Sequence, residues 1–220
     1  MAFYDDLTQA TEAERNALLS IPLIQLGAAG QLSLESYLAF LGQAYHHVKH
    51  TIPLLMATGG RLPERLEWLR VAIGEYIEEE MGHQEWILND IAACGADKEV
   101  VRHETPMPAT ELMVAYAYDT VMRNNPVGFF GMVLVLEGTS VALATHAADN
   151  IQQALNLPKS AFSYLSSHGS LDVGHVDFYE KLMNRLDRDE DKQAVVHCAK
   201  MMYRLYGDIF RSLPVVQLEG

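Results

Sequence analysis

The chain has 220 residues, 49% of them hydrophobic, and no linker-like stretch, so we expect one domain spanning residues 1–220. Its 16 basic and 29 acidic residues give a formal charge of -13, which argues against nucleic acid or an anionic membrane surface as a partner. With two cysteines, Cys94 and Cys198, and no secretory signal at the amino end, the composition predicts no disulfide framework and favours the cytoplasm.

Helix boundary signals follow one another along the whole chain, and no window shows convincing β alternation. About seven helices therefore predict an all-α bundle with its chemistry between facing helices. The predicted boundaries are a capping box at Thr11 and Glu14, a helix from Ser33 toward Pro53, one from Pro63 to Gly95, one from Pro108 to the breaker Asn124-Asn125-Pro126, and helices starting at Val127, about Ser160 and about Asp191.

Residues 127–147 are long and apolar enough to resemble a membrane span. However, Glu137 lies at the centre of this segment, Thr139 and Ser140 follow it, and no basic residues cluster beside either end. We therefore expect a buried core helix and no membrane partner.

The predicted third helix contains the run EEEMGHQEW, in which acids and a histidine interrupt an apolar face. Glu80 falls in the middle of that face, and His83 follows three residues later, about 60° around the helix, so both side chains can reach one centre. Glu79 points about 100° away from Glu80 and is a reserve candidate.

Glu137 follows ten residues, VGFFGMVLVL, that lack any ionisable or hydroxyl group. A carboxylate in such surroundings becomes neutral unless a cation or a strong hydrogen-bond donor stabilises its charge. The sequence therefore predicts a partner for Glu137.

The stretch HGSLDVGH places His168, Asp172 and His175 at the i, i+4 and i+7 positions of a helix. This spacing aims all three side chains along one stripe, and the apolar residues around them mark the same stripe as the buried one. Three potential metal ligands on the buried face of one helix predict a metal site.

Together these three helices supply three carboxylates and three imidazoles, a donor set that suits iron or manganese better than closed tetrahedral zinc. Three negative charges against two divalent cations leave a net charge of about +1, which hydroxide or a dioxygen species would neutralise. A buried polar network without metal is the alternative interpretation of the same residues.

The segments EEEMGH, VLEGTS and HGSLDVGH resemble those of the haem-oxygenase-like diiron oxidases, relatives of the thiaminase-type and pyrroloquinoline-quinone-synthase-type helical proteins. Some of these relatives place the first glutamate seven residues before the histidine; here that position is Tyr76, so the shorter Glu-x-x-His variant applies. The resemblance covers most of the chain. It implies a haem-oxygenase-like helical bundle, a homodimer, two non-haem irons with manganese possible, and dioxygen as co-substrate in the oxidation of a small organic molecule. The implied metal ligands are Glu80, His83, Glu137, His168, Asp172 and His175.

The helix containing AYHHVKH is expected to form part of the substrate pocket. Candidate wall residues are Tyr45, His46, His47 and His50, together with Tyr76. His46 and His50 face away from the apolar stripe of this helix, so a surface or interface role is an equal alternative for them.

Three other functions fit parts of the pattern. A haem oxygenase would use one axial histidine and a glycine-rich helix over the haem, for which Gly138 is a weak match. A thiaminase-like hydrolase would need a nucleophilic cysteine, yet Cys94 and Cys198 both lie in ordinary packing positions. A non-catalytic helical protein that binds a small ligand is the third alternative.

Overall fold

The computed structural model describes residues 2–216, except for the side chains of residues 141–146 and 168–175. The chain is 82% helical and the described residues form no strand, which confirms the all-α prediction. The prediction of about seven helices is wrong, because the described part contains twelve α-helices. They are α1 (Phe3–Ala10), α2 (Glu12–Leu19), α3 (Pro22–Ala28), α4 (Leu34–Val48), α5 (Thr51–Arg61), α6 (Glu67–Glu80), α7 (His83–Ala93), α8 (Lys98–His103), α9 (Pro108–Arg123), α10 (Phe129–Leu155), α11 (Ser163–Asn184) and α12 (Asp189–Ser212).

Local capping chemistry sets several helix ends as predicted. The Ser33 hydroxyl accepts a 3.1 Å hydrogen bond from the backbone N–H of Ser36 at the start of α4. Gly95 adopts a φ of +85° after α7, and Pro108 is the first residue of α9. The capping box is wrong, because the Thr11 hydroxyl donates to the Leu7 carbonyl of α1, 2.9 Å away, and does not cap α2.

Two departures from the predicted helices account for part of the higher helix count. The helix predicted from Ser33 toward Pro53 ends at Val48, and α5 begins at Thr51 and continues past Pro53 to Arg61. The segment between Pro63 and Gly95 separates into α6 and α7 at Met81 and Gly82, whose φ is +95°. Glycine adopts this left-handed conformation without a Cβ clash, so Gly82 ends one helix and allows the next to start in a new direction.

Helix α10 lies at the centre of the bundle and packs against α3, α9, α11 and α12. Residues 126–135, which lead into and begin this helix, are all buried. At Gly131 a Cβ atom would lie 2.5 Å from both the Ala199 amide nitrogen and the Val195 carbonyl oxygen, so the absent side chain allows α10 and α12 to approach closely. The buried Tyr179 hydroxyl of α11 donates a 2.7 Å hydrogen bond to the Phe130 carbonyl of α10.

The start of α11 is tied to α7 by a buried carboxylate. Asp90 accepts hydrogen bonds from the backbone N–H groups of Ser163 at 3.0 Å and Tyr164 at 2.9 Å, and from the Ser163 hydroxyl. Burial raises the pKa of Asp90, while these three donors act in the opposite direction. The contact fixes the helix that carries HGSLDVGH relative to the helix that begins with His83.

Across the described residues, no helix combines the length and apolar character needed to cross a membrane. Buried apolar side chains from Leu7 to Leu213 form one connected core. The apolar first half of α10 belongs to this core, consistent with the predicted core helix.

Candidate metal centre and cavity

Glu80 and His83 form a hydrogen-bonded pair across the junction between α6 and α7. The distance between Glu80 Oε2 and His83 Nδ1 is 2.9 Å. The Glu80 side chain is 14% exposed and that of His83 is 4% exposed, so this contact is largely shielded from water. We predicted that the pair would converge on one face of a continuous helix. The geometry is different, because Glu80 ends one helix and His83 begins the next after the left-handed Gly82.

The contact with Glu80 bears on which nitrogen of His83 is available to a metal. If Nδ1–H donates to the carboxylate, Nε2 carries the lone pair of the ring. A carboxylate that accepts from a histidine in this way fixes the tautomer and orientation of the ring. The indole of Trp86 packs beside the same imidazole, with ring centroids 4.2 Å apart. The reserve candidate Glu79 is exposed.

Glu137 lines the same cavity as Glu80, although the two residues are far apart in the sequence. It is half-buried on α10, two residues beyond the buried run 126–135. Burial raises the pKa of Tyr179 well above the usual value, and the neighbouring Tyr76 and the charge of Glu137 add to this increase. Glu137 therefore lies close to a phenol that stays protonated.

The other three predicted ligands lie on α11, whose backbone is helical from Ser163 to Asn184. The side chains of His168, Asp172 and His175 lie outside the described residues, so their convergence with the first three stays a prediction. Within the residues that the structure describes, no group of three or more His, Cys, Asp or Glu side chains is arranged to hold a metal ion.

A cavity of about 160 Å³ lies among the helices α3, α4, α5, α6, α10, α11 and α12. Its described lining is mainly aliphatic and aromatic, and Glu80 and Glu137 are its carboxylates. A large apolar cavity with a few polar groups is the usual form of a small-molecule site. Of the five predicted wall residues, His47 and Tyr76 line this cavity.

Tyr45, His46 and His50 are not among the described residues that line the cavity. His46 Nδ1 lies 3.2 Å from Lys49 Nζ, and burial together with the Lys49 charge lowers the pKa of His46 to about 4. His50 Nδ1 lies 3.1 Å from the Tyr118 hydroxyl of α9. The surface role offered as an alternative for both histidines is not supported for His46, which is 1% exposed, whereas His50 is half-buried.

Four aromatic residues that line the cavity were not predicted as lining residues from the sequence, namely Tyr37 and Phe40 on α4 and Tyr206 and Phe210 on α12. Tyr203, Tyr206 and Phe210 follow helical three- and four-residue steps, a signal of one buried face that was available in the sequence. What the pattern alone did not reveal is that this face meets the aromatic residues of α4.

The two thiols give no support to a cysteine nucleophile. Burial raises the pKa of Cys94 to about 11 and that of Cys198 to about 12, so both are protonated at neutral pH. Neither is among the described residues that line the cavity. A thiaminase-type reaction would need a reactive thiolate at the substrate, so this alternative loses support.

The sequence model of a family described as iron-containing redox enzymes matches residues 38–207. The chain belongs to this family. The match confirms the predicted resemblance at the level of an iron-containing redox family, and supports an enzyme with a redox role. No curated protein sequence matches this chain.

Solved structures similar to this iron-containing redox family member share its fold. A domain of unknown function with a haem-oxygenase-like fold from Shewanella denitrificans OS217 is 25% identical, with a TM-score of 0.83 over 94% of this chain and 90% of that one. The haem oxygenase of Leptospira interrogans is 19% identical, with a TM-score of 0.78 over 97% and 100%. A TenA homologue from Pseudomonas syringae pv. tomato DC3000 is 13% identical, with a TM-score of 0.79 over 96% and 91%. The predicted haem-oxygenase-like fold is therefore confirmed.

Proposed function

We propose that this protein is a non-haem diiron oxidase or oxygenase that uses dioxygen to oxidise a small organic substrate. The observation that supports it most is the position of two carboxylates from distant segments. Glu80 and Glu137 line one largely apolar cavity, and His83 is hydrogen-bonded to Glu80.

The donor atoms of Glu80, His83 and Glu137 fit iron. Carboxylate oxygen and imidazole nitrogen are the ligands of non-haem iron and manganese, whereas thiolates favour zinc or iron–sulfur clusters. Carboxylates that line a poorly hydrated cavity are stabilised when cations bind to them. In the proposal Glu80, His83 and Glu137 hold the irons together with His168, Asp172 and His175.

The chemistry that the bound irons supply is the transfer of electrons to dioxygen, which then oxidises a molecule held nearby. The chain's own contribution is to orient the ligands and to exclude water. Glu80 orients His83, and the aliphatic and aromatic lining keeps the reacting centre poorly hydrated. Tyr179 remains a protonated donor to the Phe130 carbonyl, so it adds no further negative charge beside Glu137.

Anaerobic loading with ferrous iron, followed by elemental analysis and optical spectra after exposure to oxygen, tests the proposal. We expect about two irons per chain and a transient visible absorption band. His83→Ala and Glu137→Gln should each lower the iron content, whereas the exposed His103→Ala and Glu111→Gln should not. Stoichiometric haem binding without uptake of non-haem iron would contradict the proposal in favour of a haem oxygenase.

Trp86 provides an independent measurement of the same site. In a Trp68→Phe variant Trp86 is the remaining tryptophan, and it packs 4.2 Å from the His83 ring. Ferrous iron bound by His83 should quench the fluorescence of Trp86, and the quenching should be complete at the iron-to-protein ratio that elemental analysis gives. Adding His83→Ala should abolish the quenching. Undiminished quenching in that double variant would mean that iron binds elsewhere.

A further inference from the structure

Five aromatic rings from α4 and α12 form a continuous wall of the cavity, which we call the aromatic wall: Tyr37, Phe40, His47, Tyr206 and Phe210. The ring centroids of His47 and Tyr206 are 5.8 Å apart, and those of Tyr206 and Phe210 are 4.9 Å apart. Phe210 then stacks on Phe40 at 5.8 Å, and Phe40 stacks on Tyr37 at 6.5 Å. Successive ring centroids are 4.9–6.5 Å apart, so the five rings form one connected aromatic cluster along the cavity.

The rest of the described lining includes aliphatic side chains of α3 and α10, for example Leu23 and Met132, and three further aromatic rings, those of Tyr76, Phe129 and Tyr164. The cavity therefore combines aliphatic and aromatic surfaces. Aromatic rings prefer offset-stacked or edge-to-face contacts with other rings, beyond the gain from burying apolar area. The aromatic wall consequently favours a ring over a saturated body of the same shape.

We propose that the cavity binds an aromatic compound, with its ring packed against the aromatic wall. This inference rests on the proposed function, whose small organic substrate it assigns to the aromatic class. His47 and Thr51 supply polar groups of the lining for a hydroxyl or amino substituent on the ring.

Calorimetric titration with two probes of one carbon skeleton tests the inference. In chelator-treated protein we expect 2-naphthol to bind about tenfold more tightly than decahydro-2-naphthol, because ring contacts do not require iron. Equal binding of the saturated alcohol, or no binding of either probe, would overturn the inference.

Variants of the wall connect the preference to named residues. Phe40→Leu combined with Phe210→Leu keeps the lining apolar but removes two of the five rings, so the preference for 2-naphthol over its saturated analogue should fall severalfold. Phe3→Leu, outside the described lining, should retain the wild-type preference. Thermal unfolding is measured alongside, and the single variants replace the double variant if it is not folded. An unchanged preference in folded wall variants would contradict the inference.

Iron content measured on the same preparations separates this inference from the proposed function. A preference for 2-naphthol in protein that binds no iron would support the aromatic wall and refute the diiron proposal. Two irons per chain without any preference for the aromatic probe would support the diiron proposal and refute the inference about the aromatic wall.

Discussion

Replacing Gly82 by alanine tests whether the left-handed junction between α6 and α7 is what brings Glu80 to His83. Gly82 has a φ of +95°, and a Cβ atom built there meets nothing within 4 Å. The penalty is therefore conformational and not steric. Gly74, in the interior of α6, also has open space around its Cβ position, but it adopts an ordinary helical conformation, so it provides a matched control.

The two substitutions should change the free energy of unfolding in opposite directions. At Gly82 the left-handed conformation costs alanine about 1–2 kcal/mol, and the reduced entropy of the unfolded chain returns about 0.4–1 kcal/mol, which leaves a net loss of about 1 kcal/mol. At Gly74 alanine should gain about 0.5–1 kcal/mol, because it is the better helix former. The two variants should thus differ by about 2 kcal/mol, and for a chain of this length about 1 kcal/mol corresponds to 2–4 °C in Tm.

Urea unfolding followed by far-ultraviolet circular dichroism measures both variants against the wild type. Gly82→Asn should fall between the wild type and Gly82→Ala, because asparagine tolerates positive φ better than alanine. Gly82→Ala should also weaken iron binding, since the strained junction alters the Glu80–His83 contact. If Gly82→Ala were as stable as Gly74→Ala, the account of this junction would be refuted.

Three further predictions concern the helix contacts that support the site. Gly131→Ala should destabilise the fold by about 1–3 kcal/mol in urea unfolding, since its Cβ would meet the α12 backbone; a neutral effect would contradict the close approach. Asp90→Asn should cost about 1–3 kcal/mol, because an amide cannot accept all three bonds at the start of α11; unchanged stability would exclude that anchoring role. Burial acts to raise the pKa of Asp191, but hydrogen bonds from Arg65 and Asn125 outweigh it and the pKa is lowered. The stabilising contribution of the Asp191 carboxylate should therefore be present above the unfolded-state pKa of about 4 and be lost as the pH falls through the lower folded-state pKa. Asp191→Asn should make the free energy of unfolding less dependent on pH in this acidic range. An unchanged pH dependence in the variant would contradict this role of Asp191.

Short-range signals were sufficient for much of the fold. Ser33, Gly95 and Pro108 mark real helix boundaries because capping and proline geometry act within a few residues. The break at Gly82 was missed because the apolar periodicity continues on both sides of it, and a single glycine inside a helical pattern is often tolerated. The sequence pattern therefore predicted one long helix where two are present.

At the candidate site, residues in unfavourable surroundings were the easiest to predict. Glu137 stood out because a carboxylate after ten apolar residues needs a compensating partner, and it does line the cavity with Glu80. The aromatic wall was harder to foresee, since Phe40 and Phe210 come from helices far apart in the chain. Their pairing depends on how α4 and α12 pack, which the periodicity of either helix alone does not determine.

Anomalous diffraction at the iron edge, from crystals of the anaerobically loaded protein, tests the central claim most directly. We expect two iron peaks at the cavity, held by the side chains of Glu80, His83, Glu137, His168, Asp172 and His175. Iron peaks at other sites, or no peaks with these six side chains hydrogen-bonded to one another and to water, would contradict it.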